Sequence, residues 1–223
     1  MEISVAIDGP AGAGKSTIAK IIGEKFNLMY INTGAMYRAV TLKAMNANVS
    51  EDNIDELVKL VESLEMHFEE DRLFVNNEDL TDMINMPIIS NNVSRYAAVP
   101  EIREILVKLQ QNIAKKFNVI MDGRDIGTVV LKNATFKFFL TASSAERAKR
   151  RYEELCAKGI EVDYNTILND IIKRDYVDTH REVNPLTKAK DAIEIDSSSL
   201  DIDGVVDEII GYINLKIKNQ CYV

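Results

Sequence analysis

The hydrophobic positions of this chain form short apolar runs that alternate with longer helical patterns. The run ISVAI at 3–7 precedes a helical pattern at 15–26, and LMYI at 28–31 precedes another. The runs NVIMD, TFKFFL and AIEID repeat this arrangement before a closing amphipathic helix at 203–217. Short apolar runs separated by helices are typical of parallel strands joined by crossover helices. The pattern therefore predicts an α/β fold around a parallel sheet.

Capping residues indicate where several of the helices begin. Ser50 precedes a helical pattern at 51–64 and is the expected N-cap of that helix. Pro100 fits the first turn of a further helix, where its missing N–H costs nothing. Ser143 and Glu146 have the spacing of a capping box. These signals predict where three of the helices begin.

One region departs from the alternation of strands and helices. Residues 64–81 show a period of two, which is typical of antiparallel strands. The period is interrupted at two turn-like dipeptides, Glu70-Asp71 and Asn76-Asn77. We therefore expect a small antiparallel meander, inserted in the main domain and reaching to about Tyr96.

Composition and charge restrict the classes of function. Hydrophobic residues make up 46% of the 223 residues and charged residues 28%, as in an ordinary globular domain. The formal net charge of −8 argues against broad binding to nucleic acid or anionic membranes. Cys156 and Cys221 lie far apart in the sequence, and we expect both to be reduced thiols. No stretch has the roughly 20 apolar residues that a membrane span needs. We expect a cytoplasmic monomer without membrane or nucleic-acid partners.

The glycine-rich segment GPAGAGKS at 9–16 lies between the first strand and its helix. Gly9, Gly14, Lys15 and Ser16 match the spacing G-x-x-x-x-G-K-[ST] in the strand–helix context that this phosphate-binding loop requires. Small residues let backbone N–H groups surround a polyphosphate, toward which the helix also directs its positive end. Lys15 can bridge the β- and γ-phosphates of a nucleotide, and the Ser16 hydroxyl can coordinate Mg²⁺. The segment predicts a nucleotide-binding site.

Nucleotide phosphates serve kinases, GTPases and mechanical ATPases alike. No guanine-reading N-K-x-D occurs in the sequence, and 223 residues leave little room for the machinery of a motor. Arginines suggest instead a site for a second anion. Arg38 lies on the helix after the second strand. At the end of a buried strand, where open α/β sheets bind ligands, stand Asp122, Arg124 and Asp125. The helical spacing i, i+4, i+7 joins Arg174, Asp178 and Arg181. Arginines that converge on one cleft would bind phosphates and stabilise charge during transfer.

The segments DGPAGAGKST, NTGAMYRA, DGRDIGTVV, ASSAERAKRR and DSSSLDIDGVV together resemble the bacterial cytidylate kinases. The resemblance runs in order from residue 3 to about residue 215. It implies a P-loop fold with a five-stranded parallel sheet, and ATP-dependent phosphorylation of CMP and dCMP with Mg²⁺. It also implies an insert that binds the nucleoside monophosphate, at about 64–96, and a mobile helical lid at about 156–184. The core would then comprise about 1–63, 97–155 and 185–223.

The resemblance also implies roles for individual residues. Lys15, Arg124 and Arg181 are the expected catalytic residues, and Ser16 with Asp122 the expected magnesium site, through water in the case of Asp122. ATP would bind to the loop and to one arginine of the following helix: Gly9, Pro10, Ala11, Gly12, Ala13, Gly14, Lys15, Ser16, Thr17 and Arg150. The motif leaves open whether Arg147, Arg150 or Arg151 is that arginine. CMP would bind to residues from four segments: Thr33, Arg38, Ser94, Arg103, Arg124, Asp125, Arg174, Asp178 and Arg181.

Two alternatives stay open on the sequence alone. A P-loop kinase for another small acceptor would share the loop and the arginines. A non-catalytic module that senses nucleotides would share the loop. Val177 and Thr179 also replace arginines that some relatives carry in the lid, so lid closure here is expected to depend on Arg174 and Arg181.

Overall fold

The computed structural model describes residues 3–220 as eight strands and eight α-helices with two shorter helical turns. The strands are β1 (Ser4–Asp8), β2 (Met29–Asn32), β3 (Met66–Glu69), β4 (Arg72–Val75), β5 (Glu78–Asp79), β6 (Val119–Gly123), β7 (Phe136–Thr141) and β8 (Ile193–Asp196). The helices are α1 (Lys15–Phe26), α2 (Thr33–Asn46), α3 (Ile54–Glu62), α4 (Pro87–Ala98), α5 (Pro100–Ala114), α6 (Ser144–Ala157), α7 (Tyr164–His180) and α8 (Ile202–Gln220). A 3₁₀ turn spans Met83–Asn85 and a π-helical turn spans Ile126–Val130.

The main sheet has five parallel strands in the order β2-β6-β1-β7-β8. Its faces follow the alternation of the buried strands: Val5 and Ile7 pack on one side, and Ala6 packs on the other. Helices α1 and α8 cover the first face, and α2, α3 and α5 cover the second. The α/β fold and the five-stranded parallel sheet are confirmed. The central strand β1 leads directly into the glycine-rich segment, so the sheet fixes the position of that segment at the carboxyl end of β1.

The predicted meander is present as the antiparallel sheet β3-β4-β5. Its turns lie at the two predicted dipeptides, where Glu70, Asn76 and Asn77 have positive φ angles of 54°, 52° and 64°. At Asn76-Asn77, two consecutive left-handed residues form the turn, as a two-residue hairpin turn of type I′ requires. Helix α4 follows the meander and packs against α2.

Two predicted caps differ from the structure. Helix α3 begins at Ile54 rather than at 51, and its N-cap is Asn53, so Ser50 is wrong as the N-cap. The Ser50 hydroxyl instead accepts a hydrogen bond from the Asp52 N–H, which closes a separate turn ahead of the helix. The capping box forms only in part. The Ser143 hydroxyl accepts from the Glu146 N–H at 3.1 Å, whereas the Glu146 carboxylate pairs with Arg150.

No helix among residues 3–220 combines the length and the apolar character needed to cross a membrane. Cys221 lies outside the described residues, and Cys156 is a free, exposed cysteine at the end of α6.

Candidate active site

A cleft of about 2110 Å³ lies at the carboxyl ends of the parallel strands. In open α/β sheets this edge is where ligands bind. The glycine-rich segment, the start of α2 and residues 122–125 form its floor. Helices α4 and α5 form one wall, and α6, α7 and the segment 197–203 form the other. The cleft is large enough to hold two nucleotides side by side.

The glycine-rich segment turns sharply between β1 and α1, and two of its glycines are required by the backbone. Gly9 has a φ of 146°, and a Cβ there would lie 2.0 Å from the Leu140 carbonyl oxygen. Gly14 is the N-cap of α1 in the left-handed conformation, with a φ of 86°. No side chain caps this helix, so the first N–H groups of α1 stay available to an anion.

Lys15 is buried at the first position of α1, and its ammonium donates a hydrogen bond to the Pro10 carbonyl at 2.7 Å. Burial and the nearby charge of Arg124 hold the pKa of Lys15 well below its ordinary value. A bound polyphosphate would offset these effects, because its negative charge favours the protonated amine. Lys15 is therefore poised for an anionic ligand.

A short hydrogen-bond network fixes Asp122 at the end of β6. The Ser16 hydroxyl donates to Asp122 Oδ2 at 3.0 Å, and the Tyr30 hydroxyl donates to Oδ1 at 2.8 Å. Burial and the charge of Asp122 raise the pKa of Tyr30, so Tyr30 stays a donor. The Thr33 hydroxyl donates to the Asp122 backbone carbonyl at 2.7 Å, and thus faces the strand rather than solvent. One hydroxyl and one carboxylate stand together beside the glycine-rich segment.

Three arginines converge opposite Lys15. Arg124 donates to Asp178 Oδ2 at 2.8 Å. Burial acts to lower the pKa of Arg124, but the charge and hydrogen bond of Asp178, together with the charges of Asp122 and Asp175, raise it. Within the described residues, the buried Nε atoms of Arg38 and Arg174 have no hydrogen-bond partner. Burial, reinforced by the charge of Arg124, lowers the pKa of both, that of Arg174 to about 10. A buried Nε–H group without a partner is costly, and an oxyanion supplies the acceptor that it lacks.

A second polar cluster lies beside these arginines, around Asp125. Arg103 is 1% exposed; it forms a salt bridge with Asp125 Oδ2 and lies 5.2 Å above the centre of the Tyr37 ring. Arg181 Nη2 lies 3.5 Å from Asp125 Oδ1, and burial together with Arg103 lowers the pKa of Arg181. Ser94 is half-buried and lines the same part of the cleft. This cluster presents acceptors and donors within a confined space.

The arginines of α6 have separate surroundings. Arg147 is buried: it donates to the Ala11 carbonyl of the glycine-rich segment at 2.9 Å and pairs with both oxygens of Asp175 on α7. Arg150 donates to the backbone and hydroxyl oxygens of Ser197, and Arg151 pairs with Glu154. Arg147 is thus the one of the three that touches the glycine-rich segment, although all three line the cleft.

The structure brings almost all of the predicted residues to this cleft. Gly9 and Pro10 lie beneath it and shape the turn instead. Arg174 and Asp178 share one face of α7, as predicted, but Arg181 does not lie on that helix. It follows the last helical residue in extended conformation, and its guanidinium donates to the Asn184 carbonyl. The predicted helical spacing is therefore wrong for Arg181, because the helix ends at His180, one residue before it.

Sequence reasoning missed four residues that hold the site together: Asp8, Tyr30, Tyr37 and Asp175. Asp8, Tyr30 and Tyr37 sit in apolar segments, where a polar side chain could have signalled a buried partner. Asp175 adjoins Arg174 in a charged stretch, and no local signal distinguishes it from a solvated residue. Its partner is 28 positions away in the chain.

The chain is similar to known proteins over nearly its whole length. Residues 5–215 match the family described as cytidylate kinase. The chain is 65% identical over 210 residues to a cytidylate kinase from Clostridium perfringens (strain SM101 / Type A), a match that covers 94% of this chain and 97% of the relative. It is 63% identical over 217 residues to a cytidylate kinase from Clostridium acetobutylicum, with 97% of this chain and all of the relative covered.

Solved structures share the fold at low identity. A gluconokinase from Sinorhizobium meliloti 1021 aligns with a TM-score of 0.50 and 12% identity, over 99% of this chain and 97% of its own. An uncharacterised protein from Eubacterium ventriosum ATCC 27560 aligns with a TM-score of 0.53 and 19% identity, over 96% and 99%. The fold is thus that of P-loop kinases, and the match over nearly the whole chain at high identity shows that the protein belongs to the cytidylate kinase family.

Proposed function

We propose that this chain transfers the γ-phosphoryl group of ATP to the phosphate of CMP or dCMP, the reaction of its family, with the cleft divided between the two nucleotides. ATP binds to residues 9–17, with its phosphates on the N-terminus of α1 and on Lys15. CMP binds opposite, with its phosphate on the arginine cluster and its base beside Asp125.

The observation that carries this assignment is the group of buried arginines facing Lys15. Arg38 and Arg174 each have a buried, unpartnered Nε, and Arg124 is close enough to both for its charge to lower their pKa. A second phosphate beside the ATP phosphates would satisfy Arg38 and Arg124, and a sugar oxygen of the same nucleotide would satisfy the Nε of Arg174. A phosphate acceptor fits this requirement, whereas a neutral acceptor such as a sugar does not.

Residues near the nucleotides take distinct roles in the proposal. Arg38, Arg124 and Arg181 hold the phosphate of CMP, and Arg174 with Asp178 contacts its ribose. Asp125 accepts a hydrogen bond from the cytosine amino group, and Ser94 and Arg103 complete the base pocket. Thr33 supports the pocket through its bond to Asp122. Both Arg147 and Arg150 are candidates for an ATP contact: Arg147 contacts the glycine-rich segment but is paired with Asp175, and Arg150 is bound to Ser197.

Ser16 and Asp122 are the residues that would hold Mg²⁺. Their hydroxyl and carboxylate oxygens are hard ligands, and the described residues contain no larger cluster of acidic, histidine or cysteine side chains. Mg²⁺ binds through few protein ligands and keeps its remaining positions for water and phosphate, so this small donor set fits it. When bound, the ion would neutralise charge on the ATP phosphates.

The chain itself supplies alignment and charge compensation. The acceptor phosphate already carries a nucleophilic oxygen at neutral pH, so no general base is required. Lys15, Arg124 and Arg181 stabilise the charge that moves between donor and acceptor. Water competes as an acceptor, and closing the cleft excludes it. We assign closure to a lid at about 156–184 and acceptor binding to the insert at about 64–96. We expect a monomeric enzyme, because the proposed roles require no residue from a second chain.

An assay of ADP release with CMP, dCMP, UMP, AMP and GMP tests the proposal. We expect the highest kcat/KM with CMP and dCMP. A preference for AMP or GMP would place the chain among kinases of other acceptors. Nucleotide binding without any acceptor-dependent ADP release would indicate a sensing module.

A further inference from the structure

Asp8 is a buried carboxylate to which neither the loop motif nor the proposed chemistry gives a role. It is the last residue of β1, is 3% exposed and directly precedes Gly9. Its two oxygens accept hydrogen bonds from the N–H groups of Ile126 and Gly127, at 2.8 and 2.7 Å. These are the first two amides of the π-helical turn, and the first amides of a helical turn have no partner within it. Asp8 therefore caps this turn from a different strand.

The capped turn begins immediately after the residues assigned to CMP. Asp125 is the N-cap of the turn, and its carbonyl accepts from the Val129 N–H at 2.9 Å. The position of the turn thus sets the backbone from which the Arg124 and Asp125 side chains project. A slip of the turn would move both away from Asp178 and Arg103, their present partners.

The contact between Asp8 and the turn requires a residue without a side chain at position 127. A Cβ on Gly127 would lie 3.3 Å from Asp8 Oδ2 and 3.2 Å from Lys137 Cδ, closer than an undisturbed side chain tolerates. The environment also disfavours the charge of Asp8, because burial and the neighbouring Asp125 raise its pKa to about 6, against the opposing effects of the two N–H donors and Lys15. A carboxylate at this position is therefore costly for stability, which points to a role beyond folding.

We propose that Asp8 is a positioning residue. It links the start of the glycine-rich segment to the turn that follows Arg124 and Asp125, and so holds the CMP-binding groups in a fixed position relative to the ATP phosphates. The inference rests on the proposed assignment of Arg124 and Asp125 to CMP. It adds a determinant of CMP recognition that contacts neither nucleotide.

The decisive variant is Asp8→Asn, which keeps the size of the side chain but replaces one acceptor with an amide donor that faces a backbone N–H. Loss of one charge-assisted hydrogen bond predicts that KM for CMP rises about tenfold. The ratio of kcat/KM for CMP to that for UMP should narrow as well. The Kd of ATP, measured without CMP, should stay the same or fall, because the substitution removes a negative charge near Lys15.

Electrostatics alone predicts the opposite change for CMP. Removing a negative charge near the arginine cluster would strengthen the binding of an anionic acceptor, so a higher KM for CMP reports a displaced turn. Gly127→Ala tests the same contact from its other side with the carboxylate intact, and it should reproduce the rise in KM for CMP. It also serves as the test if Asp8→Asn does not fold.

Asn118→Ala is the matched control. Asn118 caps the opposite end of β1, where its side-chain oxygen accepts from the Ile3 N–H at 2.8 Å, and it is exposed far from the cleft. It should lower the melting temperature without a change in KM for CMP. An unchanged KM for CMP in both Asp8→Asn and Gly127→Ala, or equal weakening of ATP and CMP, would overturn the inference. Failure of the wild-type chain to phosphorylate CMP would instead contradict the proposed function.

Discussion

Lys15 is a cation held in a cleft among other cations. Its amine is buried, pairs only with a backbone carbonyl among the described residues, and lies near Arg124. Such a group adds little to the stability of the free protein, since burial and repulsion both act against its charge. Its charge becomes useful when phosphates occupy the loop.

We therefore predict that Lys15→Met reduces kcat by about a hundredfold to a thousandfold, the range of losses seen when a preorganised electrostatic group is removed. The melting temperature should stay the same or rise. Lys20→Met is the matched control, because Lys20 lies on the same helix but is exposed and paired with Asp71. Near-normal turnover of a folded Lys15→Met variant would contradict the assignment of the loop.

Asp125 determines the choice of base in the proposed site. An ionised carboxylate only accepts hydrogen bonds, so it attracts the amino group of cytosine and repels the carbonyl of uracil. Asp125→Ala should lower kcat/KM for CMP far more than for UMP, and thereby narrow the ratio between them by about a hundredfold. Steady-state kinetics with both nucleotides measure this ratio.

The partners of Asp125 shape the design of this test. Arg103 is buried against Asp125, so the alanine variant leaves a buried charge unpaired at a cost of about 3–5 kcal/mol in stability. Asp125→Asn retains an acceptor for Arg103 and should give the same narrowing with less loss of stability. Ser94→Ala should narrow the ratio weakly, and Arg124→Ala should weaken CMP and UMP equally. An unchanged ratio in both Asp125 variants would remove this residue from the base pocket.

Among single residues, the sequence predicts those whose role is local. Gly9, Gly14, Lys15 and Ser16 are identified by spacing alone, because the loop is one continuous segment. The pair Arg147–Asp175 and the cap that Asp8 provides are not, because each joins segments that are far apart in the sequence. Only the tertiary fold determines which acidic residue a given arginine meets.

Helices α6 and α7 form a hairpin whose apolar packing is separate from the two apolar clusters of the core. Its own apolar cluster contains only Ala148, Leu155 and Ile167 as buried members. The connection between the helices, 158–163, is largely exposed. A segment with few buried contacts opens at low free energy, which is consistent with a lid that closes when both nucleotides are bound.

We predict that trypsin cleaves the free protein at Lys158 and that a bisubstrate analogue, adenosine and cytidine joined through phosphates, protects this bond. Lys115 and Lys116, exposed at the end of α5 and outside the cleft, provide an internal control whose cleavage the analogue should not change. Equal cleavage at Lys158 with and without the analogue would argue against closure of this segment. Mass spectrometry of the fragments identifies the sites.

The elements that the sequence predicts well are those with a strong internal pattern. The five parallel strands follow from their apolar runs and the meander from its period of two, and the turn at Asn76-Asn77 follows from two residues that tolerate positive φ. Boundaries set by competing polar groups are less predictable. Asn53 displaces Ser50 as the cap of α3, and α7 ends before Arg181, although the arginine still reaches Asp125.

For the whole molecule, the charge distribution follows the proposed chemistry. The chain carries a formal net charge of −8, yet several cations that line its cleft are buried, among them Lys15, Arg103 and Arg147. Two anionic nucleotides can thus approach each other only where arginines and Lys15 compensate their repulsion. The central claim is that this compensation directs the phosphoryl group to a nucleotide phosphate and away from water.

Single-turnover reaction with ATP labelled in its γ-phosphate tests this claim most directly. With CMP present, the account predicts that the label appears in the β-phosphate of CDP, and that without CMP almost no label is released as inorganic phosphate. Arg124→Ala should slow the appearance of labelled CDP by orders of magnitude. Label released mainly as inorganic phosphate in the presence of CMP, or at the same rate with and without it, would contradict the account.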